Sequence, residues 1–191
     1  MRRVGILGGT FNPIHIGHLA IAQAAYEKCE LDKVIFVPSN LPPHKSIKNI
    51  IPAQERFNMV QLAIEGYKNF EVSDFEISRP GKSYTVDTIE YFYDFFKKKA
   101  RLFFILGEDC FSALDTWKRV DDIEKLATFV VVNRPQSKVV FSKTKVRAIT
   151  MPGLDVSSSY VRKRISLEKT IKYLVPENVK TYIDKKNLYK K

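Results

Sequence analysis

Met1-Arg2-Arg3-Val4-Gly5-Ile6-Leu7-Gly8-Gly9-Thr10-Phe11-Asn12-Pro13-Ile14-His15-Ile16-Gly17-His18 opens the chain and decides how the rest is read. Its first part is an apolar run of strand length that ends at Gly8 and Gly9. Leu19-Ala20-Ile21-Ala22-Gln23-Ala24-Ala25-Tyr26-Glu27-Lys28 then supplies strong helix formers with no breaker. The succession is strand, glycine turn, helix, the first half of a βαβ unit. Glycine lacks a Cβ and tolerates positive φ, so the N–H groups of such a turn can approach a phosphate closely. His15 and His18 sit where the turn becomes helix and can reach one anion together.

Working outward, Val34-Ile35-Phe36-Val37-Pro38 reads as a second strand, parallel to the first because a helix joins them. The loop Ser39-Asn40-Leu41-Pro42-Pro43-His44-Lys45-Ser46 follows at its carboxyl end, where open α/β sheets gather ligands. His44 and Lys45 read equally well as ligand contacts or as an exposed, solvated loop. Pro52, at the first helical position, opens a helix to about Glu65. Phe70 to Ser73 and Phe75 to Ser78 alternate as a strand with an extended continuation, and Arg79 to Lys82 is a turn. Thr85 reads as the N-cap of a helix to about Lys98, with Asp87 in its first turn.

Arg101 to Leu106 is the clearest buried strand, closing in Gly107-Glu108-Asp109. Asp109 there could accept hydrogen bonds from a ribose or simply favour a helix start. Trp117, the only tryptophan, reads from composition alone as core rather than as a ligand platform. Thr128 to Val132 and Val146 to Met151 are further strands, with an irregular polar stretch, Gln136 to Lys145, between them. Val156-Ser157-Ser158-Ser159-Tyr160-Val161-Arg162 runs into a helix: the serines read as a cap and equally as a phosphate cradle, with Arg162 one turn on. Ser166 and Pro176 are read as the starts of two closing helices. With no linker or repeat, the expectation is one domain over residues 1–191. Its class is α/β: a Rossmann-like doubly wound parallel sheet, three-layer α/β/α, with C-terminal helices.

Composition is ordinary for a globular chain, hydrophobic 45% and charged 28%, and no apolar run is long enough to span a bilayer. The N-terminal run is too short for a secretory segment, so a cytoplasmic protein is expected. Cys29 and Cys110 form no C-x-x-C pair, which indicates neither a disulfide framework nor a zinc site. The net charge of +11 favours anionic partners, a polyphosphate nucleotide or a nucleic acid, although much of it lies in Lys97 to Lys99 and the C-terminal lysines. The aromatics fall mostly in apolar runs, unlike those of RNA-binding sheet faces.

The element from Gly8 to His18 resembles the "GGxF(D/N)PxHxGH" motif of the nucleotidyltransferases that bind phosphate through H-x-G-H. Val156 to Arg162 resembles their second motif, near "ISSTxIR", with Ser159 standing where a threonine is common. The two matches lie near opposite ends of the chain. Within that superfamily the chain is most similar to the bacterial nicotinate-nucleotide adenylyltransferases. Pro42-Pro43-His44-Lys45, Glu55-Arg56 with Met59, Ser83-Tyr84-Thr85-Val86-Asp87-Thr88, Gly107-Glu108-Asp109 with Trp117, and Asn133-Arg134-Pro135 carry the likeness. Shorter pantetheine-phosphate adenylyltransferases usually have threonine where this chain has His15.

The resemblance implies transfer of the adenylyl group of ATP to nicotinate mononucleotide, giving nicotinate adenine dinucleotide and pyrophosphate. Mg2+ would be carried on the ATP phosphates, with no metal ligand from the protein. It implies His15, His18 and Arg162 as catalytic. Gly8, Gly9, Thr10, Phe11, Gly107, Asp109, Ser157 and Ser158, with His18 and Arg162, fall to the ATP side. Asn40, Lys45, Thr85, Trp117 and Arg134 fall to the mononucleotide side, and the likeness turns Trp117 from core into a stacking platform. No nucleic acid or membrane partner is implied, and homo-oligomerisation is left open. A different phosphate acceptor on the same fold, and an RNA-binding module without turnover, are the rival readings.

Overall fold

A computed structural model describes residues 1–42, 50–133 and 146–190. Six strands, all parallel, form one sheet in the order β3-β2-β1-β4-β5-β6. They are β1 (Arg2–Gly9), β2 (Lys33–Pro38), β3 (Phe70–Val72), β4 (Ala100–Gly107), β5 (Ala127–Asn133) and β6 (Val146–Thr150). The helices are α1 (Ile16–Lys28), α2 (Ala53–Ala63), α3 (Thr85–Phe95), α4 (Glu108–Phe111), α5 (Val120–Leu126), α6 (Ser158–Ser166) and α7 (Glu177–Lys185). This is the doubly wound, Rossmann-like order, whose direction reverses between β1 and β4.

Successive strand residues point to opposite faces, and the sequence fills both with apolar side chains. Phe103 and Ile105 of β4 join one core with Phe36, Met59, Val161 and Ile183, under α1, α2, α6 and α7. Leu102 and Phe104 join the other with Ile6, Ile89 and Ile123, under α3 and α5. Each such side chain, fully buried, contributes about 1.5–3 kcal/mol. Among the described residues, no helix is long and apolar enough to cross a membrane.

Several local expectations shift. Helix α1 begins at Ile16, so His15 is its N-cap and His18 lies in its first turn. Pro52 is the N-cap of α2, not its first helical residue, and Tyr84 rather than Thr85 precedes α3. Residues 75–78 form a turn instead of extending β3. Phe75 stacks on Tyr91 at 3.9 Å, Glu76 turns inward, and the Ser78 N–H donates to the Asp74 carbonyl at 2.9 Å. Ser166 ends α6 rather than starting a helix: Glu168 is left-handed at φ 54 and the Lys169 N–H closes back onto the Arg164 carbonyl at 2.9 Å. The polar stretch Gln136 to Lys145 lies outside the described residues.

Candidate active site

The loop leaving β1 is shaped by Phe11, which is 2% exposed and left-handed at φ 46. Its ring folds back over Gly9, where a Cβ would come within 2.8 Å of it. The same ring meets His18 edge-on at 5.0 Å. The backbone N–H of His15 donates to Nδ1 of His18 at 3.2 Å, and the two imidazoles stack at 3.7 Å. With Nδ1 accepting, the proton of a neutral His18 resides on Nε2.

His15 is only 6% exposed, its Nδ1 has no hydrogen-bond partner among the described residues, and burial holds its pKa down to about 4. It is therefore a neutral ring at physiological pH. Gly17 makes room for it: a Cβ there would lie 3.0 Å from both His15 Nδ1 and Val156 Cγ1. With no acidic residue in the first turn of α1, the positive end of its dipole is left uncompensated by the helix's own carboxylates.

The start of α6 is sewn to this loop from the far end of the chain. Ser157 caps the helix, accepting the Tyr160 N–H at 3.1 Å. The Ser158 hydroxyl donates to the Pro13 carbonyl at 2.8 Å. Arg162 donates through Nη1 to the Asn12 carbonyl at 2.8 Å and through Nη2 to Ser159 Oγ at 3.2 Å. Two helix N-termini, two imidazoles and a guanidinium thus converge on one glycine turn, an arrangement suited to an anion carrying several charges.

On the β4 side, Gly8 backs onto the Phe104 ring, 3.5 Å from where its Cβ would be, and Trp117 packs edge-on against Phe104 at 5.8 Å. Trp117 is half-buried, so one tryptophan serves the core and still presents surface. Lys118 Nζ sits 4.5 Å above the Tyr84 ring, which brings the Trp117 segment beside the N-terminus of α3 and Thr85. Asn40 is tied in by its N–H to Ser83 Oγ at 3.0 Å and by its side-chain amide to the Arg79 carbonyl at 2.8 Å. Below them Glu76 is buried and accepts the Thr88 hydroxyl at 2.5 Å, with Ser83 as a second donor; burial raises its pKa. Gly107 caps α4 with open space beside it. Lys45 and Arg134, like His44, lie outside the described residues, as does the side chain of Asp109.

Residues that carry the geometry but were not singled out as site residues are Asn12, Arg56, Glu76 and Tyr189. Arg56 is 1% exposed and donates to the carbonyls of Ile51, Thr10 and Asn40 at 3.1, 2.7 and 3.0 Å, tying the loops after β1 and β2 together. Only its place in the Glu55-Arg56 pattern hinted at it. Among the described residues no three His, Cys, Asp or Glu side chains form a metal-binding group.

The family model described as cytidylyltransferase-like matches residues 6–164. A Clostridium perfringens (strain SM101) protein is 39% identical over 202 residues, covering all of both chains. A Thermoanaerobacter (strain X514) protein is 42% identical over 200 residues, covering 99% of this chain and 95% of the relative. Both carry the name "probable nicotinate-nucleotide adenylyltransferase". The solved Plasmodium falciparum nicotinic acid mononucleotide adenylyltransferase complexed with NaAD superposes with a TM-score of 0.83 at 22% identity, over 99% of this chain and 98% of that one, a likeness of fold.

Proposed function

This chain belongs to the nicotinate-nucleotide adenylyltransferases of the cytidylyltransferase-like family, and we propose that it joins ATP to nicotinate mononucleotide, releasing pyrophosphate. The product is nicotinate adenine dinucleotide, an intermediate of NAD biosynthesis, and the whole of residues 1–191 works as one cytoplasmic nucleotidyltransferase unit. The observation that carries this reading is the stacked His15–His18 pair at the start of α1, beside the loop whose Asn12 and Pro13 carbonyls hold Arg162 and Ser158 of α6.

The chemistry asks little covalent work of the protein. The attacking oxygen belongs to a phosphate monoester, already anionic at neutral pH, so no general base is required. The acceptor phosphate attacks the α-phosphorus of ATP in line, and pyrophosphate leaves without a covalent enzyme intermediate. The protein must hold two anions together and neutralise the charge that spreads onto the leaving oxygens.

His18, through Nε2, and Arg162 meet the ATP phosphates, with the cap of α6 at Ser157 and Ser158 beside them. His15, neutral, holds a phosphate oxygen near the reacting centre as a hydrogen-bonding group rather than a cation. Gly8, Gly9, Thr10 and Phe11 line the shared cleft, and Gly107 and Asp109 fall to the nucleoside side. Asn40, Lys45, Thr85, Trp117 and Arg134 take the mononucleotide, Trp117 by stacking on its ring. The described donors are imidazoles, a guanidinium, hydroxyls and N–H groups, which suit an anion; Mg2+ therefore belongs on the ATP phosphates, where it would screen their charge.

Pyrophosphate release from MgATP, with nicotinate mononucleotide, nicotinamide mononucleotide and phosphopantetheine compared, tests the reading. Turnover is expected with the first and much less with the second, since backbone N–H groups beside Trp117 would meet a carboxylate. Release with phosphopantetheine alone would refute the acceptor, and no release with any would refute the activity.

A further inference from the structure

We infer that Tyr189, in the basic C-terminal tail, is a positioning residue of the transfer site, fixing Asn12 and through it the guanidinium of Arg162. The inference rests on the reading of Arg162 given above. After α7 the chain turns back on itself: the Leu188 N–H donates to the Ile183 carbonyl at 3.0 Å, and Asn187 and Tyr189 are left-handed at φ 52 and φ 63. Asparagine tolerates this conformation, whereas at Tyr189 it costs roughly 1–2 kcal/mol that the contacts of the tail must offset.

What the turn accomplishes is to send Leu188 and Tyr189 inward against the α1-side core and to aim the phenol at the β1 loop. The Tyr189 hydroxyl donates to Asn12 Oδ1 at 2.9 Å, across nearly the whole length of the chain. Asn12 is 4% exposed, and its backbone carbonyl is the acceptor for Arg162 Nη1 at 2.8 Å. One residue of the loop is thus gripped by the tail on its side chain and grips the guanidinium with its backbone.

Burial holds the phenol of Tyr189 protonated far above its usual range even though Arg162 and Arg56 both lie close to it, so it stays a hydrogen-bond donor. The helix that delivers it is anchored separately. The Tyr182 hydroxyl donates to Glu55 Oε2 at 2.7 Å and accepts from Asn58 at 2.9 Å, both on α2.

A double-mutant cycle on the full chain distinguishes positioning from mere packing. Tyr189→Phe is expected to lower kcat about tenfold and weaken MgATP binding measured by calorimetry, leaving KM for the mononucleotide unchanged. Tyr182→Phe, which loses a hydroxyl of the same kind away from the loop, is expected to lower the melting temperature without changing kcat. In an Arg162→Lys background, Tyr189→Phe should cost at most about twofold. Unchanged kcat and ATP affinity in Tyr189→Phe, or losses that simply add to those of Arg162→Lys, would overturn the inference. If wild type does not turn over nicotinate mononucleotide at all, the acceptor reading fails, and the MgATP dissociation constants across the same four proteins still decide the role of Tyr189.

Discussion

Around the β1 loop the fixing contacts run mostly to backbone: Arg162 and Ser158 to the carbonyls of Asn12 and Pro13, Arg56 to that of Thr10, and His18 to the His15 N–H. The Asn12 side chain, held by Tyr189, is the exception. Around the start of α3 the bracing passes through side chains instead, with Ser83 and Thr88 converging on the buried Glu76 and Asn40 hanging from Ser83. A peptide group does not titrate near neutrality, and a carboxyl can. In the half of the cleft assigned to triphosphate, the carbonyls that hold Arg162, Ser158 and Arg56 therefore accept over the whole neutral range. The half assigned to the acceptor is tied to the protonation state of one acid. Backbone acceptors brace the first half, and a buried carboxyl with its hydroxyl donors braces the second.

The largest test of that contrast removes a group from the first half. His18→Ala should lower kcat about 10³-fold in pyrophosphate release, with the circular-dichroism melt little changed, because a preorganised donor is lost where charge develops. Near-normal kcat would remove the phosphate-neutralising role assigned to it.

The next concerns a displaced titration in that half that falls below neutrality. His15 has a folded pKa of about 4 against 6.5 unfolded, so the unfolded chain binds the extra proton in this window. Stability is therefore intact above pH 6.5 and falls as the pH drops toward 4, by about 3 kcal/mol at most. Urea unfolding of wild type and His15→Gln across that range should show the extra slope only in wild type. Parallel curves would mean that His15 is solvated.

The smallest effect belongs to the acceptor half. Glu76→Gln should raise KM for the mononucleotide by a factor of about 3–10 while leaving KM for ATP unchanged. Because the folded pKa of Glu76 is raised, the folded state holds the proton more tightly, and wild-type stability falls as pH rises from 4.5 through the folded value. The amide variant should lack that fall. Equal changes in both KM values would dissolve the distinction between the halves.

Much of this molecule could be read before its structure was seen, and the boundary follows from physics. An apolar run, two glycines and a helix-forming stretch are local signals, so β1, its loop and α1 stood out, as did the Ser157 cap. Phe75 to Ser78 alternates like a strand, yet Phe75 finds Tyr91 on α3, a contact that no local pattern contains. Arg56 sits in a helix like any solvated arginine, and only the assembled loops surround it with carbonyls. The tail read as a charge run because its lysines are local, whereas the partner of Tyr189 lies at the other end of the chain. The roles of site residues came through resemblance; the reasons those residues stand where they do came from the contacts.

Arg56 has one more consequence, and it concerns ionic strength. Lys97 to Lys99 and Lys185, Lys186 and Lys190 are exposed, and their attraction for a nucleotide is damped within about 8 Å at physiological salt. Arg56 is a permanent cation buried behind the loops at the carboxyl ends of β1 and β2, hydrogen-bonded to three carbonyls with Glu76 among its electrostatic neighbours. A buried charge of this kind is screened much less by dissolved ions than an exposed one. The surface charge therefore governs how fast an anion arrives from solution and fades as salt is added, while the buried guanidinium maintains a field beneath the cleft that added electrolyte weakens much less.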